Sequence, residues 1–277
     1  MAMADVSKGR PPRGVQGFTA VELSVSMVLC GVLAALFFPA ILKARRLMLS
    51  TGCLGQARQW AVALDLYAND HADRFPPNQD GFDVPLGQTW IQGWMGWSGP
   101  DCTNLNHLRN SLLAPYAMSV APWKCPSAGP VRMAHGKVTK VRSYSLNGFL
   151  GSPFAPTNAT AFRNRSDLGT VSPSRLLAFV EERPETINDG TFTLQRDFQP
   201  ARPALWTLRD QPAVHHQGSG NLTWVDGHAE THRWLAIPEV ALRRSEHPAP
   251  RNPDVLWLHQ HATGRSHPPG STMVARP

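Results

Sequence analysis

Hydrophobic and polar positions divide the chain into a long apolar run, an amphipathic continuation and an irregular remainder. From Phe18 to Leu42 there are 25 residues and one formal charge, Glu22. A helix of that length can cross the ~30 Å hydrocarbon core of a bilayer. Beyond Leu42 the run becomes a stripe. Leu47, Leu54, Ala57, Ala61, Leu64 and Ala68 recur at spacings of three, four and seven, with Arg46, Ser50 and Gln56 on the opposite side. That period belongs to a helix whose apolar face needs a covering partner. After Pro39 no proline interrupts until Pro76, so the pattern predicts one helix over 18–69 with a bend at Pro39.

Residues 71–125 keep neither a period of two nor one of 3.6. They read as a loop-rich insertion with one short helix near Leu108–Tyr116. Short strand patterns follow at 176–180 and 191–194, with Asn188-Asp189-Gly190 as a turn between them. Residues 221–225 and 228–232 flank Asp226-Gly227, a strong hairpin signal because a two-residue turn of this type wants positive φ at both central positions. After Trp234 the chain becomes rich in Pro and His, and 262–277 reads as a disordered tail. The elements add up to an α+β chain: a long N-terminal helix packed on an antiparallel sheet, with a loop-rich insertion.

Composition sharpens this picture. The 25 prolines and 22 glycines among 277 residues fit many turns and short strands after the first helix. Outside the apolar run and the tail, roughly 200 residues remain, enough for one core. The net charge of +7 permits anionic partners. No dense Lys/Arg run with interleaved aromatics marks a nucleic-acid surface, so no nucleic acid is expected. Lys8, Arg10 and Arg13 precede the apolar run while Lys43, Arg45 and Arg46 follow it, so charge bias alone leaves its orientation open. Of four cysteines, Cys30 sits in the apolar run as a small apolar residue. Cys53, Cys102 and Cys125 give one disulfide and one remaining thiol in an oxidising compartment, in a pairing the sequence does not choose.

The stretch Gly17-Phe18-Thr19-Ala20-Val21-Glu22-Leu23, between a basic leader and the apolar run, resembles the prepilin signal of type IV pilins and type II secretion pseudopilins. The resemblance implies a leader over 1–17, cleavage after Gly17 by the prepilin peptidase and N-methylation of Phe18. Thr19, Glu22 and Pro39 match the family's second position, its fifth-position Glu and its mid-helix proline. A Sec signal peptide loses its apolar region on cleavage, whereas this chain would keep it. The second half adds His216 and Asp226-Gly227, with nine residues between them, similar to the H-x9-D-G motif of a large pseudopilin-like family. Trp94-Met95-Gly96-Trp97-Ser98, Lys124-Cys125-Pro126-Ser127, Ser143-Tyr144-Ser145-Leu146-Asn147, Ile187-Asn188-Asp189-Gly190 and Asn252-Pro253-Asp254-Val255-Leu256-Trp257-Leu258 also match. The chain departs from the pattern at Cys102, where a polar residue is expected.

The implied organisation is a leader (1–17), a transmembrane half-helix (18–42), an extracytoplasmic half-helix (43–70), a globular pilin-like head (71–261) and the tail (262–277). The family pattern also carries cysteines matching Cys53 and Cys125, which implies that pairing; Cys102 with Cys125 is the competitor. The implied function is that of a non-enzymatic pseudopilin, anchored by a single pass in the bacterial inner membrane with its head in the periplasm. It would be processed by the prepilin peptidase and assembled with other pilin or pseudopilin subunits into a secretion pseudopilus or type IV pilus-like fibre.

Glu22 has a mechanism in such an assembly. Its carboxylate is costly inside a bilayer, and in staggered helices it can meet a neighbour's Phe18 ammonium and set register. The alternative is that it snorkels to the interface. His215, His216, His228 and His232 lie near Asp226 and Glu230 in the sequence, which raises a metal site. On one strand His228 and His232 stand ~13 Å apart and cannot share an ion; His228 with Glu230 could, given a third ligand from His216 or the Glu181-Glu182 pair, but no HExxH or paired CxxC spacing is present. The preferred expectation is therefore no metal and no cofactor, with His216 bracing the Asp226-Gly227 hairpin. Ser219, between Gly218 and Gly220, lacks the strand-to-helix frame of a nucleophile elbow and reads as a flexible loop. Adjacent Glu181 and Glu182 should point to opposite faces of a strand, so no catalytic residue is expected. A second reading is a tethered module for sugars or other ligands, with exposed Trp90, Trp94 and Trp97 as stacking platforms.

Overall fold

The computed structural model describes residues 17, 19–96, 99–117, 123–133, 136–153, 161–238 and 246–265, with the side chains of Arg46 and Leu47 outside that set. The chain divides into two units, 1–47 and 48–277. Helix α1 spans Ala20–Asp70 and contains Pro39, close to the expected 18–69. Residues 20–45 of α1 are all exposed, and their apolar sequence makes this the one helix among the described residues long and apolar enough to cross a membrane.

In the second unit, α1 buries Cys53, Ala57, Trp60, Ala61, Ala63, Leu64, Tyr67 and Ala68. The predicted stripe is present from Ala57 on, but Leu54 is only half-buried and Gln56 is half-buried rather than solvent-facing. Trp60 and Tyr67, outside the predicted stripe, are its largest buried members. Trp60 packs edge-on against Trp123 with ring centroids 4.2 Å apart, and also meets Trp90 at 5.8 Å and Phe179 at 5.5 Å. These four rings join the helix, the insertion and the sheet. The insertion holds a short helix, α2, at Leu105–Arg109 and a 3-10 turn at Ala114–Tyr116 in place of one helix over 108–116.

The remaining elements are β1 (Val131–Met133), β2 (Gly136–Val138), β3 (Tyr144–Asn147), β4 (Leu177–Glu181), β5 (Thr191–Phe192), β6 (Thr207–Leu208), β7 (Ser219–Trp224), β8 (Ala229–Arg233), β9 (His247–Pro248) and α3 (Pro253–Thr263). The main sheet has the order β5-β3-β4-β7-β8. It is mixed rather than wholly antiparallel, because β5 lies parallel to β3. The reason is topological. β4 runs antiparallel to β3, and the chain reverses after β4, so a strand laid on the far side of β3 must run with it. Gly190, just before β5, has no room for a side chain: a Cβ there would sit 2.7 Å from Ile91 and 2.8 Å from the Trp90 indole nitrogen, which donates to the Gly190 carbonyl.

β4 and β7 are buried along their whole length, as expected of central strands covered on both faces. The α3 helix starts at Asn252, whose side chain accepts from the backbone N–H of Asp254 and Val255. Buried Asp254 accepts in turn from the backbone of Leu235, Ala236 and Ile237. Ala262 and Thr263 are buried in α3, so the predicted tail begins too early: the side chain of Asn147 on β3 donates to the Ala262 carbonyl and fixes this end of the helix. Residues 266–277 lie outside the described set.

Candidate functional site

The start of α1 is built by Thr19 and Glu22. The Thr19 backbone N–H and hydroxyl both donate to Glu22 Oε2, at 2.9 and 2.8 Å, and the Glu22 N–H donates back to Thr19 Oγ1 at 3.3 Å. This is a reciprocal capping box, with Thr19 as N-cap and Glu22 three residues on. The T-x-x-E spacing of Thr19 and Glu22 is the local sequence signature of this cap. Gly17 is exposed, with open space where a Cβ would sit; residues 1–16 and Phe18 lie outside the described residues.

One cluster of titratable side chains among the described residues sits at the far end of β4. Glu181 is buried against the turn that leads into β7. Its Oε1 is 2.7 Å from His215 Nε2, and its Oε2 is 3.1 Å from His216 Nε2. The Asn221 backbone N–H, on the neighbouring β7, donates to Oε2 at 3.0 Å. Glu181 is 0% exposed, His216 3% and His215 20%. Burial pushes the Glu181 carboxyl up, but hydrogen bonds from both imidazoles, with their charges, outweigh it and hold the group at about 2. Glu182 points the other way, as the strand alternation requires. It accepts from Ser145 and lies in the field of Arg142 and Lys140.

The structure does not bring His216 and Asp226 together. His216 touches Glu181, Asn221 and Cys125 at the start of β7. Asp226 lies beyond its other end, where Val225 donates to Leu176. Asn221 and Asp226 are five positions apart on a strand rising ~3.3 Å per residue, so His216 cannot brace the hairpin. The hairpin also differs in kind. Thr223 pairs with Ala229, and the Trp224 N–H donates to the His228 carbonyl, which leaves the three-residue loop 225–227. Gly227 has φ +96°, while Asp226 does not have a positive φ. Such a loop places the left-handed residue last. Asp226 instead accepts from the His228 backbone and contacts its Nδ1 at 2.6 Å.

The histidines raised by the sequence therefore separate. His228 stacks on Trp224 and His232 on Trp257, while His215 and His216 converge on Glu181. Ser219 is the buried first residue of β7 rather than part of a flexible loop. The Glu181 pairing was hidden in the sequence because it depends on which strand lies beside β4.

Cys53 and Cys125 form a disulfide. Cys102 is a buried free thiol pushed up by desolvation, facing the carbonyls of Met95 and Gly96, which removes the Cys102–Cys125 alternative. Trp90 is 0% exposed in the core and cannot be a stacking platform. Trp94 is half-buried against Phe82, and Trp97 lies outside the described residues.

Buried Asp189, from the 187–190 block, accepts from the backbone N–H of Gly81 and Thr191 and ties the insertion to β5. Burial and the neighbouring Asp80 charge push its carboxyl up to about 8. No family model, no curated protein and no solved structure matches the chain.

Proposed function

We propose that the protein is a pilin-like subunit of the pseudopilin type, cut after Gly17 by a prepilin peptidase and assembled with like subunits through its N-terminal helix. The observation that carries this reading is α1 itself. Residues 20–42 expose apolar side chains on every side with one carboxylate at the start, while the same helix from Cys53 to Ala68 supplies core to the second unit. An all-round apolar helix needs either lipid or other helices. A bundle of such helices in a membrane-anchored fibre satisfies both states of the subunit. The head then lies outside the cytoplasm, a compartment in which the Cys53–Cys125 disulfide persists.

In this reading Glu22 has two successive roles. In the free subunit its carboxylate is occupied by the Thr19 cap. In the fibre it meets the Phe18 ammonium of a neighbour, and the pair selects register rather than adding much net stability. The test is intact-mass analysis of the protein from membranes with and without the peptidase, followed by fractionation of sheared fibres. A chain beginning at Phe18 and recovered in the fibre fraction supports the proposal. A chain that keeps residues 1–17 with the peptidase present, and never leaves the membrane fraction, refutes it.

A further inference from the structure

Glu181, His215 and His216 have the donor set and convergence of a metal centre. Their ligand atoms, together with Cys125 Sγ, all lie within 4.8 Å of one another. An ion bound at ~2.0–2.2 Å in tetrahedral geometry holds its donors roughly 3.3–3.6 Å apart. Glu181 Oε1, the oxygen that also faces His215, stands 3.3 Å from His216 Nε2, already within that range. The 2.7 Å between Glu181 and His215 must open by about half an ångström or more, within reach of a side chain that is partly exposed.

We propose that these three side chains bind one divalent first-row transition ion, of the zinc class, clamping the end of β4 to the turn that enters β7. Two imidazole nitrogens and one carboxylate favour such an ion over magnesium or calcium, which take oxygen donors. The surrounding structure holds the donors in place. The Asn221 N–H orients the Glu181 carboxylate. The backbone of the turn is fixed by hydrogen bonds from Gly218 to the Val214 carbonyl and from His216 to the Ser219 carbonyl. Outer partners of this kind orient ligands and raise affinity.

Cys125 Sγ stands 3.4 Å from His216 Nε2 but is bonded to Cys53, so it offers no thiolate. That side of the site is closed by the disulfide. The ion enters past His215, and its fourth position is left to water. The set differs from the one the sequence pointed to, since His228 and His232 are engaged elsewhere. The proposal concerns the second unit alone and stands whether or not the subunit enters a fibre.

The experiment uses the full chain in detergent micelles, stripped with a chelator and titrated with zinc chloride by calorimetry, then with cobalt(II) read by visible absorption. The expected result is one ion per chain and the intense d–d bands of a four-coordinate cobalt site. His215→Ala, at the partly exposed ligand, should weaken binding by roughly tenfold to a hundredfold or more while leaving the disulfide formed. His228→Ala with His232→Ala should bind as the parent does. Absence of saturable zinc binding, or binding unchanged in His215→Ala, overturns the site and leaves a histidine–carboxylate network in its place.

Discussion

Cys53 on α1 and Cys125 in the loop-rich insertion are joined with their Cα atoms 5.3 Å apart, across 72 positions of sequence. The bond sits beside the four-ring core, where the Tyr144 hydroxyl also donates to the Cys53 carbonyl at 3.1 Å. It pins the insertion to the helix that the insertion covers. Chain-entropy arguments put the stabilisation from closing such a loop at ~4 kcal/mol. Cys53→Ser with Cys125→Ser should lower unfolding free energy by about that amount in urea titrations. Cys102→Ser should leave the mass difference between oxidised and reduced protein unchanged, since Cys102 forms no disulfide.

Processing is expected at the Gly17–Phe18 bond. N-terminal sequencing of the membrane protein should give Phe18, N-methylated. A bulky residue in place of Gly17 should block cleavage, with the uncut mass as the readout.

At Glu22 the cap and the charge can be separated. Glu22→Gln keeps a side-chain acceptor for the Thr19 N–H, so the helix start survives, but the ion pair is lost. Glu22→Ala loses both. If charge pairing directs assembly, both variants should insert into the membrane and both should fail to form fibres. Normal fibres from Glu22→Gln would reduce Glu22 to its capping role.

Asp189 predicts a pH dependence. Its carboxyl titrates at about 8 in the folded protein, above its ordinary value of 3.8. The folded state therefore holds a proton that the unfolded chain gives up near pH 4. Stability from this group is complete below that pH and declines as pH rises toward 8, by at most ~1.4 kcal/mol per pH unit. Buried Asp210, Glu182 and Arg142, and partly exposed Asp80, lie in the same network. Asp189→Asn mimics the protonated form and should flatten the decline in denaturant midpoints measured between pH 5 and 8. An unchanged slope would move the effect to Asp210, whose carboxyl burial also raises.

Gly227 is the left-handed residue of the β7–β8 loop, at φ +96° with open space where a Cβ would go. Only backbone conformation limits substitution there. Gly227→Asn should cost less than Gly227→Val, which is β-branched and resists positive φ. A thermal melt ranking Val above Asn would contradict the loop geometry.

The sequence by itself determined α1. Its apolar run, its stripe from Ala57 to Ala68 and the absence of proline between Pro39 and Pro76 are local patterns, and a helix forms from local contacts. The existence of β4, β7 and β8 was legible for the same reason, as was the opposed pointing of Glu181 and Glu182. Tertiary structure alone decided the rest. The parallel placement of β5 follows from the order of strands, which no local period encodes. The burial of Trp90 and Trp60 depends on the insertion folding back onto α1. His216 was expected beside Asp226 because nine residues is a short distance in sequence, yet an extended strand carries that interval away from the hairpin. The convergence of Glu181, His215 and His216 arises because β7 pairs with β4, a long-range choice set by packing of two fully buried strands.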